Sequence, residues 1–386
     1  MHDELLTRAV SDVVPKALAE EKLRSKMKMR IYLGIDPTGT KLHLGHSVPL
    51  RKLKAFADAG HHVIFLIGSF TAMIGDPTDR DGMRQALTRE EVEKNFETYK
   101  KQAGNILDWS KIELRYNHEW LEKLNGRQML ELASHFTVQQ MLHRDMFKER
   151  IKQEKDIAVM EFLYPLLVGY DSVVLDVDVE LGGNDQFFNM LAGRTLQKAY
   201  GKRDKFVLTT KLIEGTDGRK MSKTYDNCIW LEDSATDMYG KLMSIKDELI
   251  VPYLECVTEM PMDEVKDIEK QLKKGLNPKE AKMRLAREVV TLYHGKKEAD
   301  QAEQQFENVF SGHGTPDSMP EVTVEEGSLL VDVLTKEKVV PSKSEARRLI
   351  SQKGISMNNK VVRSADVVVE EGIVKVGKRK FLKFSF

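Results

Sequence analysis

Two histidines lie three residues apart, on either side of Gly45, in the stretch "IYLGIDPTGTKLHLGHSVPL". The stretch combines an apolar run, a turn and the start of a predicted helix. If the run is a strand of an open α/β sheet, His43 and His46 lie at its carboxyl end, where such sheets bind ligands. A helix start offers unpaired N–H groups and a partial positive charge, which suit phosphate. Two imidazoles can add hydrogen bonds to phosphate oxygens, and Gly45 allows a flat base to approach the backbone.

A zinc site and ordinary packing are the alternatives for this histidine pair. Zinc needs further ligands, and no cluster of cysteines or carboxylates supplies them convincingly. Cys228 and Cys256 are the only cysteines, too few for a disulfide framework and without metal-ligand spacing. Taken alone, "HLGH" therefore leaves both phosphate binding and ordinary packing open.

A second polar cluster lies in "GTDGRKMSKTYDN", residues 215–227, after a predicted strand. Lys220, Ser222, Lys223 and Thr224 place two ammonium groups and two hydroxyls within five residues. Such a loop could act as a movable cationic clamp on a polyphosphate, whereas the simpler interpretation is a solvated turn. The presence of both clusters in one chain is far more specific than either alone.

The apolar pattern predicts the elements that must position these clusters. Short runs rich in Ile, Val and Phe predict buried parallel strands, and the segment between the first two predicts a helix ending at Gly60. Strand, helix and strand form a βαβ unit, which builds a doubly wound, Rossmann-like parallel sheet. The first 30 residues predict a helix. The strands are predicted at "RIYLGID", "HHVIFLIGSF", "KIELRYN" and "KFVLTTKLI".

From about residue 230 the pattern changes to amphipathic helices, and "SGHGTPDSMPEVTVEEGS" then predicts a linker. The tail from Ser328 to Phe386 predicts one helix, "KSEARRLISQKG", followed by short strands. The whole chain is neutral, with 60 Lys and Arg against 60 Asp and Glu. From Glu321 onward there are thirteen basic and nine acidic residues, so any polyanion partner must meet a local patch.

Compartment is indicated only indirectly. No apolar run reaches the length of a membrane span, and the start "MHDELLTRAVSDVVPKALAEEKLRSKMKMR" is charged, unlike a secretory signal. Two cysteines without a disulfide framework are typical of a reducing environment. We therefore predict a cytoplasmic protein with no membrane partner.

Five motifs occur in an order that resembles the class I aminoacyl-tRNA synthetases, and in detail those of bacterial tyrosyl type: "YLGIDPTGTKLHLGH", "IGDPT", "YPLLVGYD", "ELGGNDQ" and "GRKMSKT". The resemblance covers essentially the whole chain. It implies a Rossmann-like catalytic domain with a dimerisation insert over residues 1–228, an α-helical anticodon-binding domain over 229–318, and a linker with a small basic α+β RNA-binding domain over 319–386. It also implies a homodimer formed near "HFTVQQMLHRDMFKERI".

The implied activity is ligation of L-tyrosine to the 3′ end of tRNA(Tyr), through a tyrosyl-adenylate made from ATP with Mg²⁺ and without a tightly bound cofactor. A carboxylate that attacks phosphorus needs no general base, so positioning and stabilisation of negative charge dominate. Arg80 and Arg84 could add to the clamp. The residues expected to carry the catalysis are His43, His46, Lys220, Lys223, Thr38 and Thr224.

The resemblance also implies the substrate contacts. Tyr32 and Asp171 would bind the phenol, and a site built to bond that hydroxyl rejects phenylalanine. Asp76 and Tyr164 would bind the ammonium, Asp185 the ribose hydroxyls. The expected tyrosine site comprises Tyr32, Asp36, Asp76, Tyr164, Val168, Asp171 and Gln186, the expected ATP site Gly45, Gly183, Asp185 and Ser222, and no metal ligands are expected.

One position departs from the pattern. Four residues after Tyr164 the family usually has Gln, whose amide bonds the substrate amino group, and this chain has Val168. The ammonium could be held by Asp76 and Tyr164 alone, a water could replace the amide, or the pocket could take an altered substrate.

In the tail, Lys343, Arg347 and Arg348 lie about one helical turn apart and are expected to bind the RNA backbone.

Rival interpretations remain. A tryptophanyl-tRNA synthetase shares the sheet and both signatures, although Tyr32 with Asp171 and the basic tail argue for tyrosine. A small nucleotidyltransferase is disfavoured by "KMSKT" and the helical region. An RNA-binding or scaffolding protein without catalysis is disfavoured because both histidines, Lys220 and Lys223 are intact.

Overall fold

The chain folds into two compact units in a computed structural model. The first unit comprises residues 1–234 and 241–295, the second 235–240 and 296–386. The predicted division into three domains remains a prediction. The structure describes residues 4–77, 87–310, 319–358, 360–377 and 380–386.

The first unit contains a six-stranded sheet whose order is β1-β6-β5-β2-β3-β4. β1 is antiparallel to β6, and all other neighbours are parallel. Because β3 and β4 extend from one side of β2 and β5 and β6 from the other, the strand order reverses between β2 and β5. The strands are β1 Val10–Val14, β2 Arg30–Ile35, β3 His62–Ile67, β4 Ile112–Tyr116, β5 Val179–Gly183 and β6 Phe206–Thr210.

Helices cover the sheet and continue into a helical region after β6. α9 and α10 pack closely because Gly169 and Gly193 face each other: a Cβ on Gly169 would lie 3.1 Å from the Gly193 nitrogen. Among the described residues, no helix combines the length and apolarity that crossing a membrane requires. The helices are α1 Lys16–Arg24, α2 Leu44–Asp58, α3 Thr71–Ile74, α4 Arg89–Ala103, α5 His118–Leu121, α6 Gly126–Ser134, α7 Val138–Leu142, α8 Asp145–Lys152, α9 Val159–Leu175, α10 Phe187–Ala199, α11 Ala235–Met243, α12 Ile250–Val257, α13 Met262–Lys273 and α14 Pro278–His294.

The second unit contains a five-stranded sheet, ordered β7-β11-β10-β8-β9, over its own apolar core. Leu330, Leu334, Ile355, Val374 and Phe384 are fully buried in that core. The elements are α15 Lys296–Phe310, β7 Glu321–Thr323, α16 Leu330–Lys336, α17 Lys343–Ser351, β8 Ile355–Met357, β9 Lys360–Val361, β10 Gly372–Val376 and β11 Lys380–Ser385.

The predicted α/β class and parallel sheet are confirmed, and the four predicted strands and the helix ending before Gly60 are present. The single helix predicted for the first 30 residues is wrong, because Val10–Val14 forms β1. Pro15 disfavours a helical conformation at Val14, the residue before it. The β-branched valines of this segment favour an extended strand, which pairs with β6. The sequence also missed β5 and missed β7, which lies in the predicted linker and pairs with β11.

Candidate active site

A cavity of about 1230 Å³ opens at the carboxyl ends of β2 and β5. This is the point where the strand order reverses, as expected for a ligand site in an open α/β sheet. The structure brings all the residues predicted for catalysis, tyrosine and ATP to its walls: Tyr32, Asp36, Thr38, His43, Gly45, His46, Asp76, Tyr164, Val168, Asp171, Gly183, Asp185, Gln186, Lys220, Ser222, Lys223 and Thr224. Arg80 and Arg84 lie outside the described residues.

The two histidines form a stacked pair at the start of α2. Their ring centroids are 3.7 Å apart and the rings are inclined by 20°. The backbone N–H of His43 donates to Nδ1 of His46 over 3.2 Å, so a neutral His46 carries its hydrogen on Nε2. Gly45 is required by this arrangement, because a Cβ there would lie 2.9 Å from Nδ1 of His43.

Both imidazoles are neutral at physiological pH. Burial lowers the pKa of His46 to about 4. Burial, followed by the proximity of His46 and Lys220, lowers the pKa of His43 to about 2. Neutral rings can donate hydrogen bonds to a phosphate without carrying a charge of their own. Within the described residues, no group of three or more His, Cys, Asp or Glu side chains could hold a metal ion.

The lysine-rich segment 215–227 is a folded loop whose base is held by Asn227. Its carbonyl oxygen Oδ1 accepts from the Ser222 N–H over 2.9 Å, and its Nδ2 donates to the Lys220 carbonyl over 3.0 Å. A Cβ on Gly215 would lie 2.4 Å from the Asn227 side chain, so glycine is needed there. Lys223 lies in a short 3-10 turn with its side chain exposed.

Backbone hydrogen bonds join the two motifs. The N–H of Leu44 donates to the Ile229 carbonyl, and the N–H of Leu231 donates to the Leu42 carbonyl, both over 2.9 Å. The Nζ of Lys220 lies 3.6 Å from Oδ2 of Asp185, at the end of β5. The histidine-bearing helix start and the lysine loop therefore close on one cavity.

One wall of the cavity carries two aspartates, each with a hydrogen-bond donor. The Tyr164 hydroxyl donates to Oδ2 of Asp36 over 2.8 Å, and Thr71 donates to its Oδ1 over 2.7 Å. The Nε2 of Gln186 donates to Oδ2 of Asp76 over 2.8 Å. Burial, followed by the Asp36 charge, raises the pKa of Tyr164 well above its ordinary value, so it remains a donor. Two carboxylates on one wall suit a cationic ligand group.

Asp171 and Tyr32 line the cavity and are almost fully buried, with 2% and 1% of their surfaces exposed. We call the part of the cavity that they line its deep end. Oδ1 of Asp171 accepts from the indole N–H of Trp120 over 2.8 Å, and its Oδ2 from the amide of Asn117 over 3.2 Å. Burial raises the pKa of Asp171 well above its ordinary value, and these two donors oppose that shift. A carboxyl group held in a dry pocket favours a ligand that brings a hydroxyl to it.

Tyr32 lines the same end and rests on a buried polar cluster. Its hydroxyl lies 3.0 Å from Oγ of Ser172, which accepts from Nζ of Lys205 over 2.7 Å. Lys205 is also paired with Glu180. Burial, then the charge of Glu180, raises the pKa of Tyr32 well above its ordinary value, so the phenol stays protonated.

Sequence reasoning missed several side chains that complete the site. Thr71 follows β3, and Asn117 and Trp120 follow β4, so a position after a parallel strand was the available signal. Asn189 lies in the first turn of α10 and donates to Gln186. Lys205 and Ser172 gave no signal, because a lysine and a serine beside apolar runs are ordinary at a surface.

The three cations predicted to bind RNA lie on α17 in the second unit. Nζ of Lys343 lies 2.8 Å from Oδ1 of Asp332, and Arg348 pairs with Glu345 over 2.6 Å, while Arg347 is exposed. Exposed ion pairs of this kind contribute little to stability, so a phosphate can compete for them.

Comparison with known proteins agrees with this geometry. Residues 24–311 match the family described as "tRNA synthetases class I (W and Y)", and residues 312–382 match a "Tyrosine--tRNA ligase SYY-like C-terminal domain". The chain is 45% identical to a tyrosine–tRNA ligase of Thermotoga maritima, over 99% of this chain and 96% of that protein. A similar protein of Mannheimia succiniciproducens is 43% identical over 98% of this chain and 97% of its own length.

A solved structure shows the same fold. The C-terminally truncated mitochondrial tyrosyl-tRNA synthetase of Aspergillus nidulans superposes with a TM-score of 0.67 at 26% identity, covering 80% of this chain and 93% of that one. With the cavity, the two motifs and the full-length relatives in agreement, the chain belongs to the class I tRNA synthetases, and within them to the bacterial-type tyrosyl-tRNA synthetases.

Proposed function

We propose that this protein is a tyrosine–tRNA ligase that makes tyrosyl-adenylate from L-tyrosine and ATP and then transfers tyrosine to the 3′ end of tRNA(Tyr). The observation that carries the proposal is the closure of the histidine pair and the Lys220 loop on one cavity whose deep end holds Tyr32 and Asp171. The relatives' names and the tyrosyl-type C-terminal domain favour tyrosine over the tryptophan alternative.

In the first step, a tyrosine carboxylate oxygen attacks the α-phosphorus of ATP, and the bond to the leaving pyrophosphate breaks. Negative charge spreads over phosphate oxygens, so donors placed around them lower the barrier. The Nε2–H of His46, the imidazole of His43 and the ammonium groups of Lys220 and Lys223 are suited to this. The hydroxyls of Thr38, Ser222 and Thr224 line the same cavity and can add hydrogen bonds.

Polar groups on the cavity wall would orient tyrosine. Tyr32 and Asp171 would bind the phenol, while Asp36, Asp76 and Tyr164, which line the same cavity, would hold the ammonium. The carboxylate then faces the nucleotide half, where Asp185 would bind the ribose hydroxyls and Gly183 permits close approach. Gly183 is needed because a Cβ there would lie 2.6 Å from Oδ1 of Asp185.

Mg²⁺ is proposed to enter with ATP. The described residues offer no cluster of acidic or imidazole side chains for a resident ion, and Mg²⁺ commonly binds through phosphate oxygens and water.

We also propose a cytoplasmic location, which is supported by the two buried, unpaired cysteines Cys228 and Cys256.

The first prediction tests the function directly. Exchange of pyrophosphate into ATP is expected to depend on tyrosine, and phenylalanine and tryptophan should not substitute for it. His43→Asn should lower kcat about 100-fold or more, because it removes a phosphate donor that acts in the transition state. His294→Asn, at the end of α14, is the matched control and should leave kcat unchanged. Exchange driven by tryptophan would refute the assignment.

The second prediction concerns Val168, which lies one helical turn after Tyr164 on α9 and lines the cavity. Val168→Gln adds an amide near the proposed ammonium site and should lower KM for tyrosine about tenfold or more, since a hydrogen bond to a charged group contributes about 1.5–3 kcal/mol. Val174→Gln on the exposed face of α9 is the control. An unchanged KM together with unchanged substrate preference would show that position 168 is silent.

We propose a homodimer formed through the exposed apolar side chains of α6, α7, α8 and the start of α9. Large hydrophobic side chains are exposed there, with Leu130 75% and Val159 74% exposed, and Val138, Ile151 and Met160 nearby in sequence. Exposed apolar clusters on a globular protein mark contact surfaces.

The third prediction tests the dimer. Leu130→Asp combined with Val159→Asp should shift the protein to monomers in analytical ultracentrifugation, because charges would be buried at the interface. Val368→Asp, at an exposed apolar position of the second unit, is the control and should sediment as the wild type does. A wild-type protein that is already monomeric at micromolar concentration would exclude the dimer.

The fourth prediction tests the proposed RNA-binding module. A chain that ends at Pro320 removes the whole small sheet, including β7, which pairs with β11. Tyrosine-dependent pyrophosphate exchange should persist, while aminoacylation of tRNA should fall at least about tenfold because the basic tail supplies phosphate contacts. Arg347→Glu in the full-length chain should reproduce part of the loss. Equal loss of both activities would contradict this division of roles.

A further inference from the structure

Asn189 is a buried amide in the first turn of α10 that the chemistry above does not use. It is 1% exposed and belongs to the cavity wall. Its Nδ2 donates to Oε1 of Gln186 over 2.9 Å. Its own oxygen, Oδ1, is buried and has no hydrogen-bond partner in the part of the chain that the structure describes.

The hydrogen bonds on either side fix the direction of both amides. Gln186 donates from Nε2 to Oδ2 of Asp76 over 2.8 Å. Because a carboxylate only accepts, Gln186 must present its NH2 group to Asp76 and its carbonyl to Asn189. A carbonyl needs a donor opposite it, so Asn189 must present its own NH2 group. This arrangement satisfies Gln186 and Asp76 and leaves Oδ1 of Asn189 without a bond.

A buried polar atom without a partner lowers the stability of a protein, so Asn189 is a poor choice for stability alone. Leucine has a similar size and would remove the unpaired Oδ1, although Oε1 of Gln186 would then lose its donor. The Asn189 amide is therefore better explained by its hydrogen bond to Gln186, because Gln186 in turn donates to Asp76.

The same region contains the departure at Val168. Gly169, the next residue along α9, packs against Gly193, one helical turn along α10 from Asn189. Valine offers the substrate ammonium no hydrogen bond, so more of the ammonium binding falls on Asp76 and Tyr164. The orientation of the Asp76 carboxylate then has a larger effect on ammonium binding than it would have with a glutamine at position 168.

We propose that Asn189 is a positioning residue: through Gln186 it orients the Asp76 carboxylate toward the ammonium of the bound amino acid. The inference rests on the proposed tyrosine-activating function and assigns no contact between Asn189 and the substrate. It predicts that loss of Asn189 weakens the binding of the amino group specifically.

Two tyrosine analogues isolate that effect. Tyrosinol keeps the phenol and the ammonium, whereas 3-(4-hydroxyphenyl)propan-1-ol keeps the phenol but lacks the amino group. In Asn189→Leu, the Kd of tyrosinol measured by calorimetry should rise about tenfold, as expected for a weakened hydrogen bond to a charged group. The Kd of the analogue without the amino group should change less than about twofold. The Tm should change little, because the unpaired Oδ1 and the hydrogen bond to Gln186 are removed together.

Gln197→Leu is the matched control on the same helix. Gln197 is also a buried amide, and its Nε2 donates to the carbonyls of Val177 and Arg203 outside the cavity. This variant should lower Tm without changing the ratio of the two Kd values. Asn189→Ala removes the amide without adding volume and should reproduce the ratio seen with leucine, even if Asn189→Leu folds poorly.

Equal weakening of both analogues, or no change in either, would overturn the proposal for Asn189. A wild-type protein that binds neither analogue and shows no tyrosine-dependent exchange would instead overturn the proposed function. The two failures are therefore distinguishable in one set of measurements.

Discussion

The site depends on a short backbone contact between two distant parts of the chain. Two hydrogen bonds pair the start of α2 and the residue two positions before it with the segment after the lysine loop, through Leu42, Leu44, Ile229 and Leu231. Each motif alone is a polar cluster at the end of a strand or in a loop. When the two motifs are paired, imidazoles and ammonium groups surround one cavity. A triphosphate can be bound from several sides only when the distance between the two motifs is fixed.

Burial decides the chemical state of the groups in that volume. It keeps both histidines neutral and keeps Tyr32 and Tyr164 protonated, because it lowers the pKa of the imidazoles and raises the pKa of the phenols; these four side chains therefore offer hydrogen-bond donors without a charge at neutral pH. Preoriented dipoles in a dry site stabilise developing charge more effectively than the same groups in water. This agrees with a reaction that requires positioning and charge stabilisation, and not a nucleophile or a general base.

The part of the cavity that we propose to bind the amino acid follows a different rule: each of its carboxyl groups is oriented by hydrogen-bond donors. Asp171 is held by Trp120 and Asn117, and Asp36 by Thr71 and Tyr164. Such partners lower the freedom of the carboxyl groups before a ligand arrives, which reduces the entropy lost on binding. The pair of amides next to Asp76 belongs to the same pattern, since Asn189 donates to Gln186 and Gln186 donates to Asp76.

Local sequence determined many of the elements and the motif residues, because apolar periodicity and turn chemistry act over a few neighbouring positions. It predicted β2, β3, β4 and β6, and it singled out His43, His46, Lys220 and Lys223. Only the tertiary structure decided that Val10–Val14 pairs as a strand with β6, and that a lysine at position 205 is buried with Glu180. It also decided which side chains support the motif residues: Thr71, Asn117, Trp120 and Asn189 come from separate elements, and their meeting depends on strand order and helix packing. Hydrogen-bond partners that are far apart in sequence leave no local periodicity, so the chain alone could indicate the chemistry of this site but not the contacts that orient it.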